Sequence, residues 1–525
     1  MKTLILFASR YGATEEIAYM LKSAVGGDVT VCNVRDRSVS LEGYDTVILG
    51  SCVYMFKLDK HIKRFLRRNE KTLLGKKLGL YLCCYTTPGT EGYLEHFFSP
   101  ALLALLQRRG LHPCAFKCGP DYIDPGFHRA VLGVECRNLD LYLSEPETVK
   151  ALFARGCCGC DAVVAEGAMG YYDGVGGTPR ASAWQVGQTL GLPALLVVSP
   201  QQLESLPGLL AQHTPHGAAA VLLNRCPAGA AAALVQKVQA LCGLPVVGWL
   251  PEMPEAEFPA RHLGLCMAGE LPGLTARAQV LAEKLEQNFD WPLFARLFAV
   301  PAPAAPVPGA PPVRRVRLAV AADEAFCFCY RETLEAFAEA GLEPVFFSPM
   351  ADAALPKQIG GLYLPGGYPE LHAEALSRNT ALRDAIRSAV AAGLPTVAEC
   401  GGFLYLGQSL QDVQGRVWPM VGALPGRGFQ TPKLVRFGYA ALSPMQNSML
   451  FRQGETVPIH EFHHWDSTHN GTALCAEKPV SGKSWRCGFV SESLYAGFPH
   501  LYFAGRPQLA RRFARAAIQW REQEP

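Results

Sequence analysis

The sequence predicts an α/β protein made of several parallel sheets, each covered by helices, and divided once by a stiff linker. Three observations point there. Short runs of almost wholly apolar, often β-branched residues recur along the chain between amphipathic stretches, the pattern of parallel strands buried on both faces. The 525 residues are too many for one core and suggest three or four domains at roughly 150 residues each. Residues 301–315, PAPAAPVPGAPPVRR, are proline-rich without a hydrophobic period and read as a semi-stiff linker.

The strands follow in order. TLILFA (3–8), DVTVCNV (28–34), DTVILG (45–50) and KLGLYLCC (77–84) fall in a first domain, residues 1–111. PCAFK (113–117), DAVVAE (161–166), ALLVV (194–198) and AAVLLN (219–224) fall in a second, residues 112–300. After the linker, strands near 317–321, 343–347, 361–364 and 395–399 open a third, residues 316–525. Hydrophobic residues make up 49% and charged residues 18%, so each domain can bury a core. A net charge of +3 argues against nucleic acid or an anionic membrane surface as partner. The opening run TLILFA is too short for a secretory segment. The 18 scattered cysteines read as reduced thiols of a cytoplasmic protein. The string Gly156 to Cys160, GCCGC, admits a metal clip, against the plainer reading of a helix-to-strand loop.

Ser9, Arg10, Tyr11, Gly12, Ala13 and Thr14 follow the first strand and open a helix. Hydroxyls and backbone N–H groups at a helix N-terminus suit a phosphate. There is no G-x-G-x-x-G, and Tyr54 ends the third strand. This stretch, to about residue 105, resembles flavodoxin, especially the short flavodoxin-like domains of the protoporphyrinogen-oxidase type. The resemblance implies FMN, with its phosphate on residues 9–14 and its ring near Tyr54 and the 85–92 loop.

In the middle domain, Lys117 to Pro125 (KCGPDYIDP), Arg137 to Asp140 (RNLD) and Glu166 to Gly174 (EGAMGYYDG) follow strands. Carboxylates at strand C-termini are where open α/β sheets hold Mg²⁺ and substrate, and Asp121, Glu166 and Asp173 sit in such places. These strings, with Leu223-Asn224-Arg225, Gly248 to Pro251 and Arg261 to Leu265, resemble the synthetase domain of the cobyrinate a,c-diamide synthase family. The resemblance implies a P-loop-NTPase-like sheet of the dethiobiotin-synthetase kind. It also implies a synthetase site of Lys117, Asp121, Glu166 and Asp173, with metal on Asp121 and Glu166 and with ATP and Mg²⁺ in use.

After the linker, Pro395 to Phe403 (PTVAECGGF) reads strand, cysteine, glycines, helix. Such a turn exposes a nucleophile, and the helix N-terminus favours thiolate. Cys400 is the candidate nucleophile. Gly366 and Gly367 in LPGGYPE, with Gly401, are candidates for the oxyanion hole. His460, His463, His464 and His500 compete for the base, and sequence spacing does not choose among them. The region resembles a class I glutamine amidotransferase of the cobyrinate and cobyrate synthase type, which implies His500 in the string AGFPH as the base. The same resemblance puts the HEFHH run near the substrate interface, against the alternative of a histidine-rich surface strand.

Together the two resemblances imply amidation of the a and c carboxylates of cobyrinate, or of a related tetrapyrrole, with nitrogen from glutamine and activation by ATP. Glutamine and a corrinoid are the expected partners, and a homodimer is compatible with the sequence. One feature departs from the family: no G-x-x-x-x-G-K-[ST] is present, although its lysine is the cation that meets the transferred phosphates. Residues 77–117, where that loop is expected, read as one strand–helix–strand unit whose loop holds no lysine. That unit also reads as part of the flavodoxin, so either two sheets merge there or one domain is incomplete. The alternative function is an FMN electron-transfer or corrinoid-reducing protein with a degenerate ligase domain.

Overall fold

A computed structural model describes residues 2–8, 13–25, 27–35, 39–54, 57–73, 75–84, 98–167, 170–227, 229–253, 260–261, 264–265, 273–304, 314–432 and 434–523. Much of the linker, residues 305–313, lies outside this set.

The first unit runs β1 (Lys2–Ala8), α1 (Ala13–Val25), β2 (Asp28–Asn33), β3 (Thr46–Tyr54), β4 (Lys57–Leu58), α2 (Lys60–Leu73) and β5 (Lys77–Cys84). Its parallel sheet has the order β2-β1-β3-β5, and β4 turns back antiparallel on the end of β3. Leu4, Leu6, Val47 and Leu49 fill one face beneath Leu73 of α2, and Ile5 and Phe7 face Ala18 of α1. This alternation buries both faces of β1, as its uninterrupted apolar run requires.

The second unit continues α3 (Phe98–Arg108), β6 (Pro113–Cys118), α4 (Ile123–Leu132), β7 (Cys136–Leu139), α5 (Pro146–Gly156), β8 (Ala162–Gly167), α6 (Ala183–Leu190), β9 (Ala194–Val198), α7 (Leu206–Leu210), β10 (Ala218–Cys226), α8 (Ala231–Cys242), β11 (Val246–Pro251), a β12–β13 hairpin (Ala260–Arg261, Gly264–Leu265), α9 (Leu274–Gln287) and α10 (Trp291–Phe298). Two three-stranded parallel sheets, β7-β6-β8 and β11-β10-β9, make its frame. One apolar core joins them. Leu102 and Leu105 of α3 and Leu281 and Leu285 of α9 pack with Leu222 and Val247, with Val164 and Val197 at its margin.

The strand–helix–strand unit at 77–117 is therefore divided. Strand β5 pairs with β3 in the first sheet, β6 pairs with β7 and β8 in another, and α3 belongs to the second core. The side chains of α3 find their apolar partners on α9.

The third unit holds β14 (Val316–Ala321), α11 (Arg331–Glu339), β15 (Leu342–Phe347), β16 (Ile359–Leu364), α12 (Ala373–Arg378), α13 (Thr380–Ala391), β17 (Thr396–Glu399), α14 (Gly401–Leu406), β18 (Ser409–Gln411), β19 (Val417–Pro419), β20 (Arg427–Gln430), β21 (Arg436–Pro444), β22 (Val457–His463), β23 (Trp465–Ser467), β24 (Leu474–Glu477), β25 (Ser484–Cys487), β26 (Phe489–Val490), β27 (Leu494–Gly497), β28 (His500–Leu501) and α15 (Pro507–Gln523). Its central sheet is β15-β14-β16-β17-β27-β26, parallel except for β26. A five-stranded antiparallel sheet, β25-β24-β21-β22-β28, packs beside it. Of these antiparallel strands only β22 has a reading from sequence, as the strand alternative for the HEFHH run.

Candidate active site

Cys400 stands between β17 and α14 with φ 47° and ψ −102°, a conformation that side chains with a Cβ rarely adopt. The surroundings hold it there. Its N–H donates to Gly497 O at 2.8 Å, and Gly402 N–H donates to Pro365 O at 3.0 Å. Space explains the glycines. A Cβ on Gly402 would lie 2.1 Å from Leu364 O, one on Gly367 2.1 Å from Ala325 O, and one on Gly401 3.0 Å from Gly367 N. Gly366, Gly367 and Gly401 thus bring their backbone against the cysteine turn. A Cβ on Gly366 would sit 2.6 Å from the His500 ring, so the histidine closes the same corner.

His500 is held on β28, directly opposite His460 on β22. Its Nδ1 is 3.9 Å from Glu399 Oε2, and both side chains are buried. Glu399 accepts Leu501 N–H and the Tyr363 hydroxyl, each at 2.9 Å. The residue before the cysteine is thereby tied to the residue after the histidine. Burial pushes the Glu399 carboxyl up to about 8, against the pull of Leu501 N–H and Tyr363. Burial also depresses His500 to about 3, helped by His463. Cys400 shifts the other way from the expectation that its helix end favours thiolate. Burial, with Glu370 and Glu461 nearby, pushes the thiol up, and only the Gly401 N–H opposes them. A six-residue helix end does not outweigh desolvation among carboxylates.

His460 and His463 take buried places, and His464 is half-buried. His463 stacks on Phe498 with ring centroids 3.8 Å apart, and its Nδ1 donates to Trp465 O at 2.7 Å. His460 is buried and depressed to about 3 by desolvation and by His500. Strand β22 is therefore no surface strand. Its Glu461 is 2% exposed, and neither carboxylate oxygen has a hydrogen-bond partner among the described residues; His463 Nε2 lies 3.5 Å away.

In the second unit, strand register sets Lys117 beside Glu166. Lys117 Nζ is 3.5 Å from Glu166 and 3.8 Å from Asp121, and it bonds Asp124. His128 Nε2 is 3.4 Å from Glu166. Burial opposes the charge on Lys117, but the three carboxylates more than offset it and hold the ammonium protonated. Asp121 also caps the first turn of α4, accepting from Ile123 N at 2.8 Å. Lys117, Asp121 and Glu166 thus converge, joined by Asp124 and His128, which had no role from sequence. Asp173 is exposed on the loop after β8, and no described hydrogen bond or ion pair joins it to them. Among the described residues no three His, Cys, Asp or Glu side chains enclose a metal. A phosphate-borne Mg²⁺ needs only one or two carboxylates, and Asp121 and Glu166 fit that requirement while sharing their charge with Lys117.

The two sites are neighbours. Tyr122, next to Asp121, stacks on Tyr330 at 4.1 Å and Phe328 at 5.1 Å, and its ring lies 5.3 Å from that of His500. Around it, Tyr502 OH bonds Asn138 O and Glu332, and Tyr439 OH donates to Asp140 at 2.7 Å.

For the flavin, Ser9, Arg10, Tyr11, Gly12 and the 85–92 loop lie outside the described residues. Ala13 opens α1, Thr14 is buried in its first turn, and the backbone of Tyr54 ends β3. Strands β2 and β3 diverge on either side of β1, so α1 begins at a topological switch point, where such sheets bind ligands.

A strained cysteine between strand and helix, with a histidine delivered by a neighbouring strand, is the layout of a glutamine amidotransferase. Residues 317–508 match the CobB/CobQ-like glutamine amidotransferase domain, and residues 4–113 match the flavodoxin domain. The chain is 35% identical over 431 residues to cobyrinate a,c-diamide synthase of Salmonella typhimurium, covering 79% of this chain and 94% of that one. It is 37% identical over 456 residues to hydrogenobyrinate a,c-diamide synthase of Thermobifida fusca, covering 81% and 95%. The chain belongs to the cobyrinate a,c-diamide synthase family.

Proposed function

We propose that the chain transfers glutamine nitrogen to the a and c carboxylates of cobyrinate or a related corrinoid, after ATP activates each carboxylate. The observation that carries this reading is Cys400 in its strained turn, linked through Glu399 to His500. The Cys400 sulfur attacks the glutamine carboxamide carbon and its proton passes through His500 to the departing nitrogen, so ammonia leaves and a thioester remains. Water, deprotonated by His500, then releases glutamate. Backbone N–H groups of Gly367 and Gly401 receive the oxyanion. Glu370 and the buried Glu461 carboxylate suit the α-ammonium of glutamine. Glu399 positions His500 and stabilises its cation.

Ammonia then has a short way to go, past Tyr122 to the Lys117, Asp121 and Glu166 cluster, where the corrinoid carboxylate is held as an acyl phosphate. Mg²⁺ on Asp121 and Glu166 would neutralise phosphate charge there. Helix α3 packs as the helix after a phosphate loop would, yet residues 85–97 before it contain no lysine. The ATP half-reaction therefore draws on cations other than a Walker lysine. Tight FMN binding by the first unit would make the purified chain yellow.

The test is a Cys400→Ala variant assayed with cobyrinate, Mg-ATP and either glutamine or ammonium. Glutamine-dependent amidation should vanish while ammonium-dependent amidation persists. Retained glutaminase activity would refute the nucleophile, and absent ATP turnover with either nitrogen source would refute the ligase.

A further inference from the structure

Asn138 lies on β7, an edge strand of its sheet, opposite Lys117 of β6, and is buried. Its side chain and its backbone reach in different directions. The side-chain Nδ2 donates to Gly119 O at 2.9 Å and to Asp121 O at 2.7 Å; two carbonyl acceptors fix the amide nitrogen at that end. The backbone N–H donates to Glu332 Oε1 at 2.9 Å, and the Tyr502 hydroxyl lies 2.9 Å from both Asn138 O and that same carboxylate oxygen. Glu332 is on α11 and Tyr502 follows β28, so both belong to the amidotransferase unit. Together they give the free edge of β7 the acceptor and donor that a neighbouring strand would.

We propose that Asn138 is a positioning residue of the synthetase site: its amide seats the Asp121 loop, and Glu332 and Tyr502 seat Asn138 from the amidotransferase side. Lys117 and Glu166 are fixed by strand register, whereas Asp121 stands on the turn between β6 and α4. Its carboxylate, 3.8 Å from Lys117 Nζ, also accepts Ile123 N–H at 2.8 Å and Asp124 N–H at 3.2 Å. A loop freed from Asn138 would carry that carboxylate away from its two fixed partners. Ring contacts press the same loop from the same unit: Tyr122 stacks on Tyr330 at 4.1 Å, and Tyr502 meets Tyr330 edge-on at 5.2 Å. The path reaches the glutamine site, because Tyr502 follows Leu501, whose N–H is held by Glu399 beside Cys400. The synthetase loop is thus complete only while the amidotransferase unit grips the edge of β7.

Hydrogen–deuterium exchange on the whole chain reads the loop directly, through peptides spanning residues 119–124. Tyr502→Phe removes the hydroxyl and keeps the ring. Asn138→Leu removes the amide and keeps both backbone bonds to the amidotransferase unit. Each should speed exchange in those peptides at least about threefold, as expected for a lost hydrogen bond, with peptides of β10 and β11 unchanged. Tyr502→Phe added to Asn138→Leu should bring less than about 1.5-fold more, since the hydroxyl acts through the amide. Unchanged exchange in Tyr502→Phe, full additivity of the two changes, or equal acceleration in β10 and β11 would overturn the proposal. A kinetic split is also expected, and it rests on the ligase reading. With ammonium as nitrogen source, the apparent KM for Mg²⁺ should rise at least about fivefold in both variants while glutaminase kcat stays within about threefold. An unchanged KM for Mg²⁺ would overturn the positioning role. A native chain without ATP turnover would refute the ligase reading alone, and the exchange rates would still decide the role of Asn138.

Discussion

Replacing Glu399 with glutamine removes one charge and little else. Glutamine keeps an oxygen for the Leu501 N–H and leaves the Tyr363 hydroxyl a neighbour, so the link between β17 and β28 survives. What goes is the anion that faces the imidazolium during turnover. Two unit charges 3.9 Å apart attract by about 4 kcal/mol at an effective dielectric of about 20. Ionising the carboxyl at neutral pH from about 8 takes back about 1.4 kcal/mol. The remainder, about 3 kcal/mol, is roughly a hundredfold in rate. Steady-state glutaminase assays on Glu399→Gln should show kcat down about a hundredfold with KM for glutamine nearly unchanged, since Glu399 positions His500 and does not bind substrate. A kcat within about threefold of the native value, or a loss confined to KM, would refute the reasoning.

Other expectations concern the buried charges. Lys117→Met strands three carboxylates around an apolar side chain and should destabilise the second unit by about 3–5 kcal/mol in urea unfolding; Asp124→Asn in the same chain should restore part of the loss. His460 is neutral in the folded chain down to about pH 3, whereas in the unfolded chain it takes up a proton below about 6.5. Folded-state stability from this group is therefore lost as the pH falls through that window. On going from pH 7 to pH 5, His460→Gln should gain about 2 kcal/mol relative to the native chain, measured by urea midpoints; no relative gain would mean that His460 is already charged when folded. Tyr122→Ala opens the wall between the two sites. It should leave glutaminase kcat within about threefold yet lower the amide formed per glutamine hydrolysed, which coupled glutamate and product assays would report.

The sequence pattern showed what is local and hid what is not. Cys400 and its glycines were visible because strand, turn and helix lie within nine residues, and each glycine answers a contact of 2 to 3 Å. His500 needed the family resemblance, since only the β22–β28 and β17–β27 pairings bring it near the cysteine turn. Glu399 was overlooked inside an apolar strand, where a carboxylate reads as the polar end of a run; its burial was the missing signal. The HEFHH run read as a segment near the substrate interface or as a surface strand, because alternation cannot show that a strand is covered on both faces. The unit at 77–117 was ambiguous for a related reason. Strand propensity predicts β5 and β6, but sheet membership depends on partners far away in sequence. Asp173 shared its setting with Asp121 and Glu166, yet only the latter two lie on segments that meet Lys117.

The buried Glu332 has a consequence for anyone dissecting the protein. Its carboxyl, raised to about 7 by burial, accepts Asn138 N–H at 2.9 Å and the Tyr502 hydroxyl at 2.9 Å. Cutting the gene at the proline tract would put Glu332 on one fragment and Asn138 on the other, leaving a desolvated acid and a backbone donor that must each find water. The glutaminase and synthetase portions are therefore poor candidates for separate expression, and an inactive fragment would report a wounded interface rather than a missing catalyst.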